Sequence, residues 1–166
     1  MATQIFVSRP NWVPDSLNAG LDALERLLRS LDIEPRTIGR SDQPTQAPLD
    51  DVIRVLKECS GAIILGIPQL VVETGTLKGR PVSSALTLGT EWNHIEAGLA
   101  YASGLPLLVI HHTGVERGIF DRGAMNTFLY NKDFAQAAWA LDADIQGALK
   151  AWKARCTAVP PTPTAR

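Results

Sequence analysis

Apolar residues recur along this chain in two rhythms that take turns. Gln4-Ile5-Phe6-Val7-Ser8 is a short apolar run of strand type, ending in Arg9-Pro10-Asn11-Trp12. Leu17, Leu21, Leu24, Leu27, Leu28 and Leu31 follow at three-and-four spacing, which predicts a helix from about Asp15 to Leu31. Pro35-Arg36-Thr37-Ile38-Gly39 reads as a second, weaker strand, with loop residues from Arg40 to Ala47. Pro48 suits the first turn of a helix that Leu49, Val52, Ile53 and Leu56 carry to about Glu58. Gly61-Ala62-Ile63-Ile64-Leu65-Gly66 is apolar without alternation, the pattern of a strand covered on both faces.

Residues 67–89 are rich in Gly, Pro, Ser and Thr and read as a long loop in which Leu70-Val71-Val72 pairs locally at most. A helix follows from Thr90, a good N-cap, and stops at Gly104. Pro106-Leu107-Leu108-Val109-Ile110 is a fourth strand, His111 to Asn126 a second loop, and Phe128-Leu129-Tyr130 a fifth strand. A last helix is expected from about Phe134 to Arg155, with Trp139, Leu141, Ile145, Leu149 and Trp152 on it. Helices between apolar strands imply a parallel sheet with helices on both faces. The expected fold is α/β: a flavodoxin-like three-layer sandwich with a parallel five-stranded sheet in the order 2-1-3-4-5. Residues 1–156 form that single domain, and the Pro- and Thr-rich residues 157–166 form a disordered tail.

Composition narrows the class. At 166 residues and 45% hydrophobic the chain can bury one proper core. A net charge of −1, with Lys and Arg spread along the chain, argues against a nucleic-acid or membrane partner. Two cysteines, Cys59 and Cys156, make neither a disulfide framework nor a metal cluster. No apolar run approaches the length of a membrane helix and no secretion signal opens the chain, so a cytoplasmic protein is expected. His111-His112 lacks a third ligand in sequence, and neither a metal nor a cofactor is expected.

The chemistry centres on Glu96. Counted at helical spacing, Trp92, Ile95, Leu99 and Ala102 form an apolar face with Glu96 beside it. Burying an ionised acid is costly and raises its pKa, so such a carboxylate points to bond-making chemistry. In the expected fold the ligand crevice lies at the carboxyl ends of the first and third strands. The segment Ser8-Arg9-Pro10-Asn11-Trp12 and the loop containing Gln69 meet there, and the Glu96 helix opens toward them. Candidate substrate contacts are therefore Ser8, Arg9, Asn11, Trp12, Gln69, Trp92 and Asn93. Arg9 suits a phosphate, Asn11 or Asn93 a sugar hydroxyl, and Trp12 or Trp92 the face of a base.

The run Ile95-Glu96-Ala97-Gly98-Leu99-Ala100-Tyr101-Ala102-Ser103-Gly104-Leu105-Pro106 resembles the nucleoside 2-deoxyribosyltransferase family, with its Glu-bearing helix, Gly-x-Pro turn and apolar strand. The Trp92-x-x-x-Glu96 spacing also looks like the Toll/interleukin-1 receptor (TIR) domains, in which the matching Glu supports cleavage of NAD. The resemblance implies Glu96 as the nucleophile, or the stabiliser of an oxocarbenium-like sugar, in N-glycosidic cleavage or transfer on a nucleoside, nucleotide or NAD. It also implies a homo-oligomer, since the transferases complete their pockets with a residue of a neighbouring subunit. The chain departs from the transferases in the loop after the third strand, where only Glu73 supplies an acid, and in a first loop without their usual Gly-Pro form.

Plainer readings apply to the same residues. Glu96 can pair with Arg80 or Arg117, Trp92 can belong to the core, and Arg9 can serve a surface ion pair. Glu91 is a favourable first-turn acid. The Gly-bounded stretch 114–123 is a lid or an oligomer contact. At the level of the whole protein, a nucleotide-sensing module without turnover and a TIR-like interaction domain stand beside the enzyme.

Overall fold

In the computed structural model, which describes residues 2–125 and 128–158, five parallel strands form the central sheet. They are β1 (Thr3–Ser8), β2 (Ile33–Arg36), β3 (Ala62–Gly66), β8 (Leu107–His112) and β9 (Leu129–Lys132), in the order β2-β1-β3-β8-β9. This is the expected 2-1-3-4-5 arrangement, with helices on both faces. Register is set by strands buried on both sides: Val7 lies opposite Ile63, and Ile63 opposite Leu108.

The period of two in these strands divides the core. Ile5, Val7, Ile63, Leu65, Leu108 and Ile110 face α1 (Asp15–Ser30) and α4 (Ala143–Ala158). Phe6, Ala62, Ile64, Leu107 and Val109 face α2 (Pro48–Glu58) and α3 (Glu91–Ala102). Leu17, Leu21, Leu24 and Leu28 bury the predicted stripe of α1. Gly20 belongs to that stripe because of close approach: a Cβ there would lie 2.2 Å from the Phe134 carbonyl oxygen and 2.6 Å from the Trp139 indole nitrogen.

Four expectations shift. The second strand runs Ile33–Arg36, not 35–39, and Pro35 is tolerated inside it because β2 is a sheet edge. Residues 67–89 are not one open loop. They carry two small antiparallel ladders, β4 (Leu70–Val72) with β7 (Leu86–Leu88) and β5 (Thr76–Leu77) with β6 (Arg80–Pro81). The Lys78-Gly79 pair closes the second with positive φ at both positions, the geometry of a tight hairpin.

The last helix begins at Ala143, not near residue 134. Phe134 and Trp139 are both buried and stack at 4.6 Å between ring centroids, which anchors residues 134–141 as turns against α1. That helix continues through Thr157 and Ala158, past the expected boundary, while the rest of the predicted tail lies outside the described residues.

The fourth shift concerns α3. Its sheet-facing side is Asn93, Ala97 and Ala100; of the predicted stripe Trp92, Ile95 and Ala102 are exposed, and Leu99 is half-buried against the core. Trp92 is 40% exposed and Ile95 43%. Two alanines let the helix backbone come close to β1 and β3, which large side chains would prevent. Glu96 is three residues from Asn93 and four from Ala100, so it remains on the inner edge of the helix by a different route from the one the apolar pattern suggested.

Candidate functional site

The carboxyl ends of β1 and β3 and the first turns of α2 and α3 converge on one cleft of about 380 Å³. Glu96, Thr90 and Trp92 of the α3 side, and Gln69 from the segment after β3, line it. So do Arg9, Pro10, Asn11 and Trp12 after β1. Ile38, Pro48 and Val52 form the opposite wall. That wall is pinned by Asp51, a fully buried acid on α2. Its carboxylate accepts the Thr45 and Gln46 backbone N–H groups at 2.8 and 3.1 Å and the Thr45 hydroxyl at 2.9 Å. Burial alone would raise this carboxyl; those donors, with Arg54, outweigh it and hold the group at about 2.

Glu96 is placed by the start of its own helix. The Thr90 hydroxyl accepts the Asn93 backbone N–H at 3.1 Å, and the Asn93 side-chain oxygen accepts the Thr90 backbone N–H at 3.2 Å. The same Asn93 side chain donates through Nδ2 to the Ser8 hydroxyl at 2.8 Å. Ser8 in turn hydrogen-bonds the Glu96 carboxylate. Burial pushes the Glu96 carboxyl up from 4.5 to about 7, and the Ser8 bond pulls the other way. Neither Arg80 nor Arg117 pairs with Glu96 among the described residues. The acid is thus held partly dry, beside a hydroxyl donor, at neutral pH as a mixture of its two protonation states.

Of the residues singled out from the sequence, Arg9, Asn11, Trp12, Gln69, Trp92 and Glu96 meet at the cleft. Ser8 and Asn93 do not line it. Both are buried, Asn93 at 1% exposure, and its amide hydrogens go to Ser8 and the Leu65 carbonyl. Asn93 is therefore behind the acid and not a contact for a sugar hydroxyl. Gln69 spends its amide on the Trp12 and Pro68 carbonyls at 3.2 and 2.7 Å, which ties the two loops of the cleft together. Trp12 is 64% exposed and stands free at the mouth.

Glu73 and Glu91 are exposed and outside the lining. His111 is buried against Phe120, and His112 accepts the Phe134 backbone N–H. No group of three metal-ligand side chains occurs among the described residues. Sequence reasoning missed the wall from Ile38 to Val52. Its available signal was Pro48, which starts α2 at the same sheet edge as the other loops.

No family model matches the chain, and no curated protein matches it. Among solved structures it is similar to the CMP N-glycosidase BcmB of Clostridium botulinum. The TM-score is 0.51 at 14% identity, over 84% of this chain and 94% of that one. The likeness shows the fold. No helix among the described residues is long and apolar enough to cross a membrane.

Proposed function

We propose that this protein cleaves or transfers the N-glycosidic bond of a nucleotide, nucleoside or NAD, with Glu96 as nucleophile or oxocarbenium stabiliser. The observation that carries the reading is the position of the Glu96 carboxyl. It is held at about 7 by burial in a cleft of about 380 Å³ with two tryptophans on the rim. The CMP N-glycosidase with the same fold supports it, as does the Glu-helix motif of the transferases.

In the proposed reaction a carboxylate oxygen approaches the anomeric carbon as the carbon–nitrogen bond breaks, and the bonding pair leaves with the base. A nucleobase takes up a proton from solvent as it departs, whereas the nicotinamide of NAD, already cationic, leaves neutral without one. Water then attacks the same carbon for hydrolysis, or a second base does so for transfer, and the carboxylate is released. Ser8 steadies the ionised carboxyl, and Asn93 orients Ser8. Trp12 and Trp92 offer faces to a base, Asn11 a hydrogen-bonding side chain to the sugar, and Arg9 a cation to a phosphate. No cofactor is invoked.

The test is incubation with NAD, deoxynucleosides and nucleoside monophosphates, followed by chromatography for released base. Release that Glu96→Gln lowers by about a thousandfold or more supports the reading. A nucleotide that binds tightly and survives unchanged would instead make the protein a sensor. Concentration-dependent assembly with no response to any of these compounds would make it an interaction domain.

A further inference from the structure

Arg9 lines a second cavity as well, of about 280 Å³, on the α1 face of the sheet. Arg40 lines that cavity too, with Thr37, Ser41 and Glu25. Three features make it more than a gap in packing. The Arg9 Nε is buried and has no hydrogen-bond partner among the described residues, a costly state for a charged group. Arg40, an exposed residue, stands close enough for its charge to work against that of Arg9. The nearest opposing charges, Glu25 and Asp22 on α1, act on Arg9 through space, and Glu25 is already bonded to Arg29 at 3.1 Å.

The backbone that presents Arg40 is not free to withdraw. The Thr37 carbonyl accepts the backbone N–H groups of Arg40, Ser41 and Asp42, and an Arg36–Asp42 ion pair clamps the end of the turn. Gly39, with φ of 80°, lies against Asn11: a Cβ there would be 2.8 Å from the Asn11 amide nitrogen. The turn after β2 is thereby packed on the loop after β1, which brings Arg9, with its buried unpaired Nε, and the exposed Arg40 to one cavity. An oxyanion with several acceptors satisfies both, and a phosphoryl group matches guanidinium forks in geometry and charge.

We propose that this second cavity holds a phosphoryl group of the substrate between Arg9 and Arg40, so that the phosphate arm of a nucleotide passes from the Glu96 cleft across Arg9. The proposal rests on the glycosidase reading for its substrate and extends it by making a nucleotide the preferred class over a nucleoside. Arg40 then acts in specificity, through the phosphate and not through the reacting carbon.

The experiment has two arms. In the first, inorganic phosphate is titrated into the wild-type chain, Glu96→Gln and Arg40→Ala, followed by backbone amide NMR shifts. Saturable shifts around Arg9 and Arg40 in the first two, weakened about tenfold or more in the third, are expected. In the second, base release is compared for a nucleoside monophosphate and its parent nucleoside. Arg40→Ala is expected to lower the nucleotide-to-nucleoside ratio of kcat/KM about tenfold, mainly through the KM of the nucleotide. Phosphate binding lost in Arg40→Ala, with no base released from any compound, keeps the anion site and removes the glycosidase reading. Base release whose nucleotide preference is untouched by Arg40→Ala, or phosphate shifts centred elsewhere, overturns the proposal and leaves the glycosidase reading standing.

Discussion

Asn93 donates its side-chain amide to the Ser8 hydroxyl across 2.8 Å, joining the first turn of α3 to the end of β1 behind the Glu96 carboxyl. The hydroxyl is then left to point its own hydrogen at the carboxylate. One asparagine therefore caps a helix and sets the direction of the hydrogen bond that opposes the desolvation of the acid.

The first consequence is a pH profile. A nucleophilic carboxylate works only when ionised, and Glu96 is held at about 7. The kcat/KM for base release should rise with pH, pass through half its maximum near 7 and level off above it. A profile flat from pH 5 to 9 would sink the assignment of this carboxyl to bond making.

Ser8→Ala removes the hydroxyl that pulls Glu96 downward. The midpoint should move above 7, with the rate at pH 7 falling roughly threefold and the plateau at high pH largely retained. Asn93→Asp should move it the same way. A carboxylate in that place accepts the Ser8 hydrogen and withdraws it from Glu96, while still capping the helix. Rates for both variants at pH 7 and pH 9 separate this effect from simple damage, which would depress both equally.

Stability should carry the opposite sign. Between 4.5 and about 7 the folded chain keeps a proton on Glu96 that the unfolded chain releases, so stability declines as pH rises through that window. Glu96→Gln escapes this cost while keeping the shape of the side chain and an acceptor for Ser8. At pH 8 the variant should be more stable by on the order of 2 kcal/mol, allowing for solvent at the cleft mouth, and the difference should close by pH 4. Denaturant melts at the two pH values read it directly. An inactive variant that is also less stable at pH 8 would contradict the burial of the acid.

Trp12 is exposed at the rim and contributes little to the core. Trp12→Ala should raise KM about tenfold while leaving the melting temperature nearly unchanged, and Trp12→Phe should recover much of the loss. An unaltered KM would assign the base to the Trp92 side of the cleft.

Much of this architecture was legible in the residues. The strand order followed from apolar runs separated by helical spacings, and Pro48 and Thr90 marked helix starts that the structure places at residues 48 and 91. The α3 face was not legible. Trp92 and Ile95 look outward while Asn93, Ala97 and Ala100 look inward, so ranking positions by hydrophobicity misplaced the inner face. The two hairpins in residues 67–89 are built from strands of two or three residues, too short for periodicity to reveal.

At the site, the candidate acid and the loops around it were apparent, because an acid among apolar neighbours and polar residues after a strand are local signals. The Ser8–Asn93 bond was not, since its partners stand 85 residues apart. Arg40 was hidden for a similar reason. Its meaning depends on Gly39 resting against Asn11, a contact between two separate loops.

The missing side chain at Gly20 reaches further than its own neighbourhood. With the Phe134 carbonyl and the Trp139 ring pressed against its bare backbone, α1 has a single seat on the sheet. The segment bearing Arg9 and Trp12 hangs from the front end of that rod. Even one added methyl would have to displace the Phe134 carbonyl and the Trp139 ring, a strain on the rod that carries both side chains, at a residue that does not itself line the cleft.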